Sequence, residues 1–272
     1  MRNYERLSIL VSLVVLGLAF SLIVALPTRI FQGSFLGSPV AIVINGQLFM
    51  AGLLTALTAI GTDYALREHP GYEATAGYAF LFWIIPCMVT LAAALSLQWL
   101  VSDLRLWAAG LILTGAALSL VIVAEYRTID PKDPAYTPAR LGLNLVVYLS
   151  ALVLFAGIYS AKLRSLLSAT AMVVLAGLLA LALLRAERRM TLHTWLYAAI
   201  CALILGEATW ALNYWGVSAL AGGSLLLLAF YFFTGLAQQQ LLGRFSRAIL
   251  LEFLFVVGFG LGVLISQTSL RW

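Results

Sequence analysis

Apolar runs of about 20 residues, separated by short polar connections, recur along the chain. A helix that rises 1.5 Å per residue needs about 20 residues to cross a hydrocarbon core of about 30 Å. The pattern predicts an all-α, polytopic transmembrane helical bundle of about nine spans, forming a single integral membrane domain over residues 1–272. The predicted spans are residues 7–26, 48–66, 78–101, 106–124, 141–161, 166–184, 196–214, 220–236 and 249–267.

The first connection, residues 27–47, is the longest on its side of the membrane. Its β-prone stretches at 30–35 and 40–44 are separated by Gly37-Ser38-Pro39, a typical turn sequence. Two interpretations stay open here. One is a short β-hairpin in this first external loop, lying at the membrane surface, and the other is a partly buried re-entrant loop.

Small residues inside the spans predict where helices approach each other closely. Gly110 lies on a small-residue surface of the fourth span, and Gly258 and Gly262 form a G-x-x-x-G motif in the ninth. Such positions favour helix packing because neighbouring backbones come close where side chains are small. In the second span, a stripe of threonines at helical spacing favours packing over a permeation lining; its members are Thr55, Thr58 and Thr62.

The distribution of the charged residues indicates membrane topology rather than nucleic-acid binding. Only 10% of residues are charged, and the 16 Lys and Arg are scattered through connections although the net charge is +5. Most lie on the side of the N-terminus, which predicts a cytoplasmic N-terminus. Lys162 and Arg164 are the exceptions, and the strongest anchor is the basic group after the sixth span, Arg185, Arg188 and Arg189.

Residues 206–215 form the candidate intramembrane polar site. Glu207 is the deepest charge in the sequence, within the seventh span and near the middle of the bilayer or slightly toward the outer leaflet. Trp210 and Tyr214 follow it at i+3 and i+7, so the three side chains are predicted on one helix face. Asn213 completes the candidate group.

Two interpretations of Glu207 stay open. Ionisable residues inside membranes are costly and often functional, so the carboxyl could serve as a proton or cation site. It could also form the polar end of a lipid or small-molecule pocket walled by Trp210, Tyr214 and Trp215. The structural interpretation is a buried hydrogen-bonding residue that fixes helix packing, with the tryptophans as interfacial aromatics.

No cofactor, metal site or catalytic residue is predicted. Cys87 and Cys201 stand alone in apolar runs, and both histidines, His69 and His193, lie in connections. The charged connection 125–140 holds two aspartates, but it lacks the further carboxylates or glycine-rich cradle that a metal or phosphate site needs. These aspartates, Asp130 and Asp133, are therefore interpreted as parts of a solvated loop. Glu252 is interpreted as a carboxylate near a helix N-terminus.

The chain resembles bacterial multi-pass membrane families classed as domains of unknown function. The resemblance is carried by residues 36–39, residues 206–215 and Phe230-Tyr231. It implies a bacterial inner-membrane setting and no activity. The leading hypothesis is an accessory or scaffold component of a membrane complex, with the bilayer and other membrane proteins as expected partners. A proton-coupled carrier centred on Glu207 comes second, and a membrane enzyme acting on lipid or lipid-linked substrates third.

Overall fold

A computed structural model describes residues 2–23, 29–35, 38–44, 46–72, 77–161, 165–185 and 191–269. Within these ranges the chain forms two strands and nine helices. The elements are α1 (Arg2–Ile23), β1 (Arg29–Phe35), β2 (Ser38–Ile44), α2 (Gly46–Leu66), α3 (Leu81–Leu100), α4 (Leu104–Arg127), α5 (Tyr136–Ser160), α6 (Ser165–Leu184), α7 (Leu192–Leu212), α8 (Ala219–Leu241) and α9 (Arg247–Ser269).

Within the described residues, eight helices, α2 to α9, are long and apolar enough to cross a membrane. The chain is therefore a multi-pass helical membrane protein, as the sequence predicts at this level. Several helices extend beyond the predicted apolar runs, since hydrogen bonding continues through polar residues at the span ends. α4 thus runs to Arg127 and α8 to Leu241. The cytoplasmic N-terminus and the choice of membrane stay predictions.

β1 and β2 pair in antiparallel register, from Arg29 opposite Ile44 to Phe35 opposite Ser38. They occupy the connection where the sequence left a hairpin and a re-entrant loop open. Residues 36–37 between them lie outside the described residues. The position of this connection at the membrane surface stays a prediction.

The chain divides into two compact units, Met1–Ala139 and Arg140–Trp272. In the first unit α1 packs against α2 and α4, and α3 packs against α2 and α4. The Thr58 and Thr90 hydroxyls, 2.9 Å apart, join α2 to α3, while Thr58 also donates to the Leu54 carbonyl. Thr62 on the same stripe is fully buried. These contacts agree with the packing interpretation of the threonines.

In the second unit α6 and α7 pack along each other, and α8 packs against α7 and α9. Tyr159 at the end of α5 is fully buried. Its hydroxyl donates to the carbonyls of Leu212 at 3.2 Å and Trp215 at 2.7 Å. The Leu212 carbonyl also accepts the Trp215 backbone amide at 2.9 Å, so the phenol ties the end of α5 to the turn that follows α7.

Arg140, near the start of α5, performs a similar role for α6. Its Nη2 donates to the carbonyl oxygens of Ala182 at 2.9 Å and Leu183 at 2.7 Å, at the C-terminal end of α6. A cation here also favours the negative end of the helix dipole. Arg185, part of the predicted anchor, is buried. The other cations of that prediction, Arg188, Arg189, Lys162 and Arg164, lie outside the described residues.

We expect Arg140→Met to lower the free energy of unfolding by about 1.5–3 kcal/mol, the range for hydrogen bonds to charged groups. Denaturant unfolding in mild detergent measures the change. The matched control is Arg244→Met, because Arg244 is exposed in the same unit. Equal stability of the two variants would contradict the capping role of Arg140.

Candidate functional site

α7 carries the candidate site and begins at a side-chain cap. The Thr191 hydroxyl accepts a hydrogen bond from the backbone amide of Thr194 at 3.4 Å, which satisfies one of the free amides at the helix start. One face of the helix is buried at helical spacing. Its central members are Ala198, Cys201, Ala202, Leu205, Gly206 and Thr209.

Gly206 brings α7 close to α6. A Cβ at this position would stand 2.4 Å from Cγ2 of Val173 and 3.4 Å from the carbonyl oxygen of Ala169. Only glycine fits such an approach without movement of the neighbours. Because successive side chains are about 100° apart around a helix, fixing residue 206 against α6 also fixes where residue 207 points.

Glu207 points outward from α7 and is exposed. Among the described residues, no hydrogen bond or ion pair reaches its carboxylate. It lies about 7.5 Å along the helix axis before Leu212, where α7 ends. The carboxyl is thus inside the span, midway between the middle of α7 and its C-terminal end.

Trp210 and Tyr214 lie on the same exposed face. The Trp210 Nε1 donates to the Tyr214 hydroxyl at 3.4 Å, and Trp215 beyond them is also exposed. Asn213 points elsewhere: its Nδ2 donates to the Ser168 hydroxyl on α6 at 2.8 Å. The structure therefore places Glu207 beside two aromatic side chains, and it uses Asn213 to join α7 to α6.

The three glycines predicted to serve helix packing differ in their surroundings. A Cβ at Gly110 would stand 2.7 Å from Cδ2 of Leu97, so Gly110 lies at a close contact of α3 and α4. Among the described residues, nothing lies within 4 Å of the position of a Cβ at Gly258 or Gly262. α9 instead contacts α8 through Gly260, which lies against Leu228.

A polar cluster that the sequence analysis missed lies at the end of the first unit where α1 begins and α2 ends. The Asp63 carboxylate accepts from Arg67 Nε and Nη2, both at 2.7 Å, and from the Tyr72 hydroxyl. Arg6 on α1 pairs with Glu68, and its guanidinium lies 4.2 Å from the centre of the Tyr64 ring. Asp63 and Arg67 stand at i and i+4, a spacing that could have indicated the first of these pairs.

Tyr72 is held in this cluster as a neutral phenol. Burial, together with the hydrogen bond to the Asp63 carboxylate, raises the pKa of Tyr72 to about 12. The phenol therefore keeps its proton, and the connection after α2 stays tied to the helix end. The hydrogen bonds and ion pairs of the cluster hold α1, the end of α2 and the connection after α2 together.

Beside the cluster lies a cavity of about 300 Å³ between the start of α1 and the ends of α2 and α4. Most of its lining residues are apolar, and the other three have polar side chains. Tyr126 is held edge-on against the His69 ring at 4.7 Å between centroids. The principal lining residues are Leu7, Leu66, Ile122, Tyr126, Arg127 and Asp133.

The aspartates of the connection after α4 form turns. Asp130 Oδ1 accepts from the Lys132 amide at 2.9 Å, and Asp133 Oδ1 accepts from the Ala135 amide at 2.7 Å. Within the part of the chain that the structure describes, no three His, Cys, Asp or Glu residues lie close enough together to hold a metal ion.

The model of a family described as "Protein of unknown function (DUF5656)" matches residues 26–267. The chain therefore belongs to this family, which confirms the resemblance to an uncharacterised family. No curated protein and no solved structure matches the chain. A bacterial origin stays a prediction.

We expect Gly206→Ala to lower the free energy of unfolding by about 1–3 kcal/mol, because the added methyl overpacks the contact with Val173. The control is Gly142→Ala on α5, since among the described residues nothing lies within 4 Å of a Cβ there. Both variants are compared by thermal and denaturant unfolding in the same detergent. A stability loss shared equally by the two would contradict the close contact.

We expect Tyr72 to ionise near pH 12 in the folded protein, against about 10 for an unperturbed phenol. Because the folded pKa is the higher one, the proton on Tyr72 stabilises the fold below pH 10, and this contribution is lost as the pH rises to about 12. The tyrosinate absorbance difference between the wild type and Tyr72→Phe measures the titration. Asp63→Asn should lower the midpoint, whereas a wild-type midpoint near 10 would contradict the arrangement.

Proposed function

We propose that this member of the DUF5656 family is an accessory component of a membrane complex. In this proposal the exposed face of α7 binds a transmembrane helix of a different protein. Glu207 is the principal contact, and Trp210 and Tyr214 follow it on the same face, toward the C-terminal end of α7. We name these three residues the α7 face.

The observation that carries the proposal is an ionisable carboxyl on the outside of a span. Insertion scales assign about 2.5–3.5 kcal/mol to a charged residue at the centre of a helix, with a smaller cost toward its ends. Glu207 lies on the exposed side of α7, where no side chain among the described residues contributes a hydrogen bond. A partner helix with a donor at the same depth would remove this cost.

The sequence favours a different protein over a second copy of this chain as that partner. No Lys or Arg lies in the apolar part of any predicted span, so a second copy would bring no intramembrane cation to Glu207. A partner span with Lys, Arg or a neutral donor would complement the carboxyl. Polar contacts between membrane helices contribute about 1–2 kcal/mol in model peptides.

The neighbouring aromatic side chains support the same face. Trp210 and Tyr214 are exposed and held together by their own hydrogen bond. Tryptophan and tyrosine are enriched among the residues that dominate protein interfaces. Tryptophan and tyrosine are also enriched at the membrane–water interface, whether or not a partner binds there. These two side chains therefore support the proposal less strongly than Glu207 does.

The carrier and enzyme hypotheses receive no such support. A carrier site would lie near the bilayer midplane, between repeats of the fold. Glu207 instead faces outward, midway between the middle of α7 and its C-terminal end. A lipid-modifying enzyme would need convergent catalytic groups, and the α7 face offers one carboxyl beside two aromatic side chains.

We expect Glu207→Leu to reduce the occupancy of a copurifying membrane protein by about tenfold, which corresponds to about 1.4 kcal/mol. Native mass spectrometry of the protein in lipid nanodiscs extracted directly from the membrane measures the occupancy. Glu252→Leu is the matched control, because Glu252 is also exposed on an apolar helix. The control should keep the partner.

The pairing itself is tested by exchange of charge. If the partner carries Lys or Arg in a span, Glu207→Lys should abolish copurification, and replacement of that cation by Glu should restore it. A neutral donor in the partner predicts that Glu207→Gln retains binding. Full partner occupancy in Glu207→Leu, or wild-type protein that carries only lipid, would refute the proposal.

A further inference from the structure

The cavity in the first unit is placed where a bilayer presents lipid headgroups. It lies between the first turns of α1 and the last turns of α2 and α4. α2 and α4 have 21 and 24 residues, so each is about as long as a hydrocarbon core of about 30 Å is thick. Their ends therefore lie near the boundary between acyl chains and headgroups, on the N-terminal side of α1.

The lining of the cavity combines an apolar wall with one cation and one anion. Leu7, Leu66 and Ile122 provide apolar surface from three helices, while Arg127 and Asp133 provide the opposite charges. Among the described residues, neither Arg127 nor Asp133 forms an ion pair. Within that part of the chain, both charges are therefore available to a ligand that carries the complementary pair.

The cavity wall is fixed before any ligand arrives. Leu66 is fully buried in a cluster with Phe82 and Ile129, and Tyr126 packs against that cluster. The edge-on contact with His69 holds Tyr126 from the other side. Asp133 is oriented by the hydrogen bond that its Oδ1 accepts from Ala135, which leaves Oδ2 for a further donor.

We propose that this cavity binds the headgroup of an amine-bearing phospholipid of the phosphatidylethanolamine class, with the Arg127 guanidinium on the phosphate and the Asp133 carboxylate on the ammonium. Guanidinium groups bind phosphate oxygens through paired N–H donors. A primary ammonium offers three N–H donors to a carboxylate, whereas a trimethylated ammonium offers none.

The volume agrees with a headgroup rather than a whole lipid. A water molecule occupies about 30 Å³ of liquid. The cavity of about 300 Å³ thus holds about ten groups of that size, enough for phosphoethanolamine. The acyl chains would lie outside the cavity, along the apolar surfaces of α1 and α4.

The test measures lipid retention by native mass spectrometry of the intact protein, exchanged into micelles that contain equal amounts of phosphatidylethanolamine, phosphatidylcholine and phosphatidylglycerol. The wild type should retain phosphatidylethanolamine about tenfold over phosphatidylcholine, which corresponds to one charge-assisted hydrogen bond. Phosphatidylglycerol, which offers no ammonium to Asp133, should be retained less.

Two variants separate the roles of the charges. Asp133→Asn keeps an oxygen for the Ala135 amide and should abolish the preference for phosphatidylethanolamine over phosphatidylcholine. Arg127→Gln should reduce retention of all three lipids. The matched controls are Asp130→Asn, an exposed turn aspartate in the same connection, and Arg105→Gln, an exposed arginine at the other end of α4. Both controls should retain lipid as the wild type does.

Several outcomes would overturn the proposal. They are equal retention of phosphatidylethanolamine and phosphatidylcholine by the wild type, a preference for phosphatidylglycerol, and an unchanged preference in Asp133→Asn. Equal displacement of phosphatidylethanolamine and phosphatidylcholine by inorganic phosphate would also overturn it, because the ammonium would then add nothing to binding. The comparison of lipids on the wild type does not depend on whether any variant folds. Thermal unfolding shows whether each variant is folded.

Discussion

The hydrocarbon interior of a bilayer offers a polar group no water to bond with, so a spanning segment has to satisfy its polar groups within protein. The backbone does so by forming helices. Some hydroxyls inside the spans do so as well: Thr58, Thr114 and Thr209 each donate to the carbonyl four residues earlier in their own helix. At helix ends, Arg140 donates to carbonyls in the last turn of α6, and Tyr159 donates to the Trp215 carbonyl just beyond α7. Glu207 departs from this rule, and the proposed partner follows from that departure.

Close helix contact links the stability of the second unit to the direction of this carboxyl. At Gly206 the α7 backbone approaches Val173 of α6, and at Gly222 α8 approaches the ring of Tyr159. The Gly206 contact fixes the rotation of α7 about its axis. A residue adjacent to Gly206 therefore cannot turn inward without breaking the α6 contact. Packing inside the unit thus also determines the face that the unit presents outward.

In the first unit the charged side chains lie at helix ends, where headgroups and water are near. Asp63 accepts hydrogen bonds from Arg67 and Tyr72, and Arg6 pairs with Glu68, so most of the charges in this cluster are matched within the chain. Arg127 and Asp133 stand outside this network, on the wall of the cavity. An internal network beside two opposite charges that form no ion pair among the described residues is the arrangement expected if one region provides rigidity and the other binds a ligand.

The sequence by itself determined the class of the protein and the approximate positions of the eight span-length helices that the structure describes, because bilayer thickness and the helical period act on each segment separately. It also predicted that Glu207, Trp210 and Tyr214 share a face, since that follows from local spacing. Only the tertiary structure decided that this face is exposed while Asn213 joins α6, and that Tyr72 lies against Asp63. It likewise decided that α1, α2 and α4 enclose a cavity. Such features depend on which helices pack together and at what rotation, and no single segment contains that information.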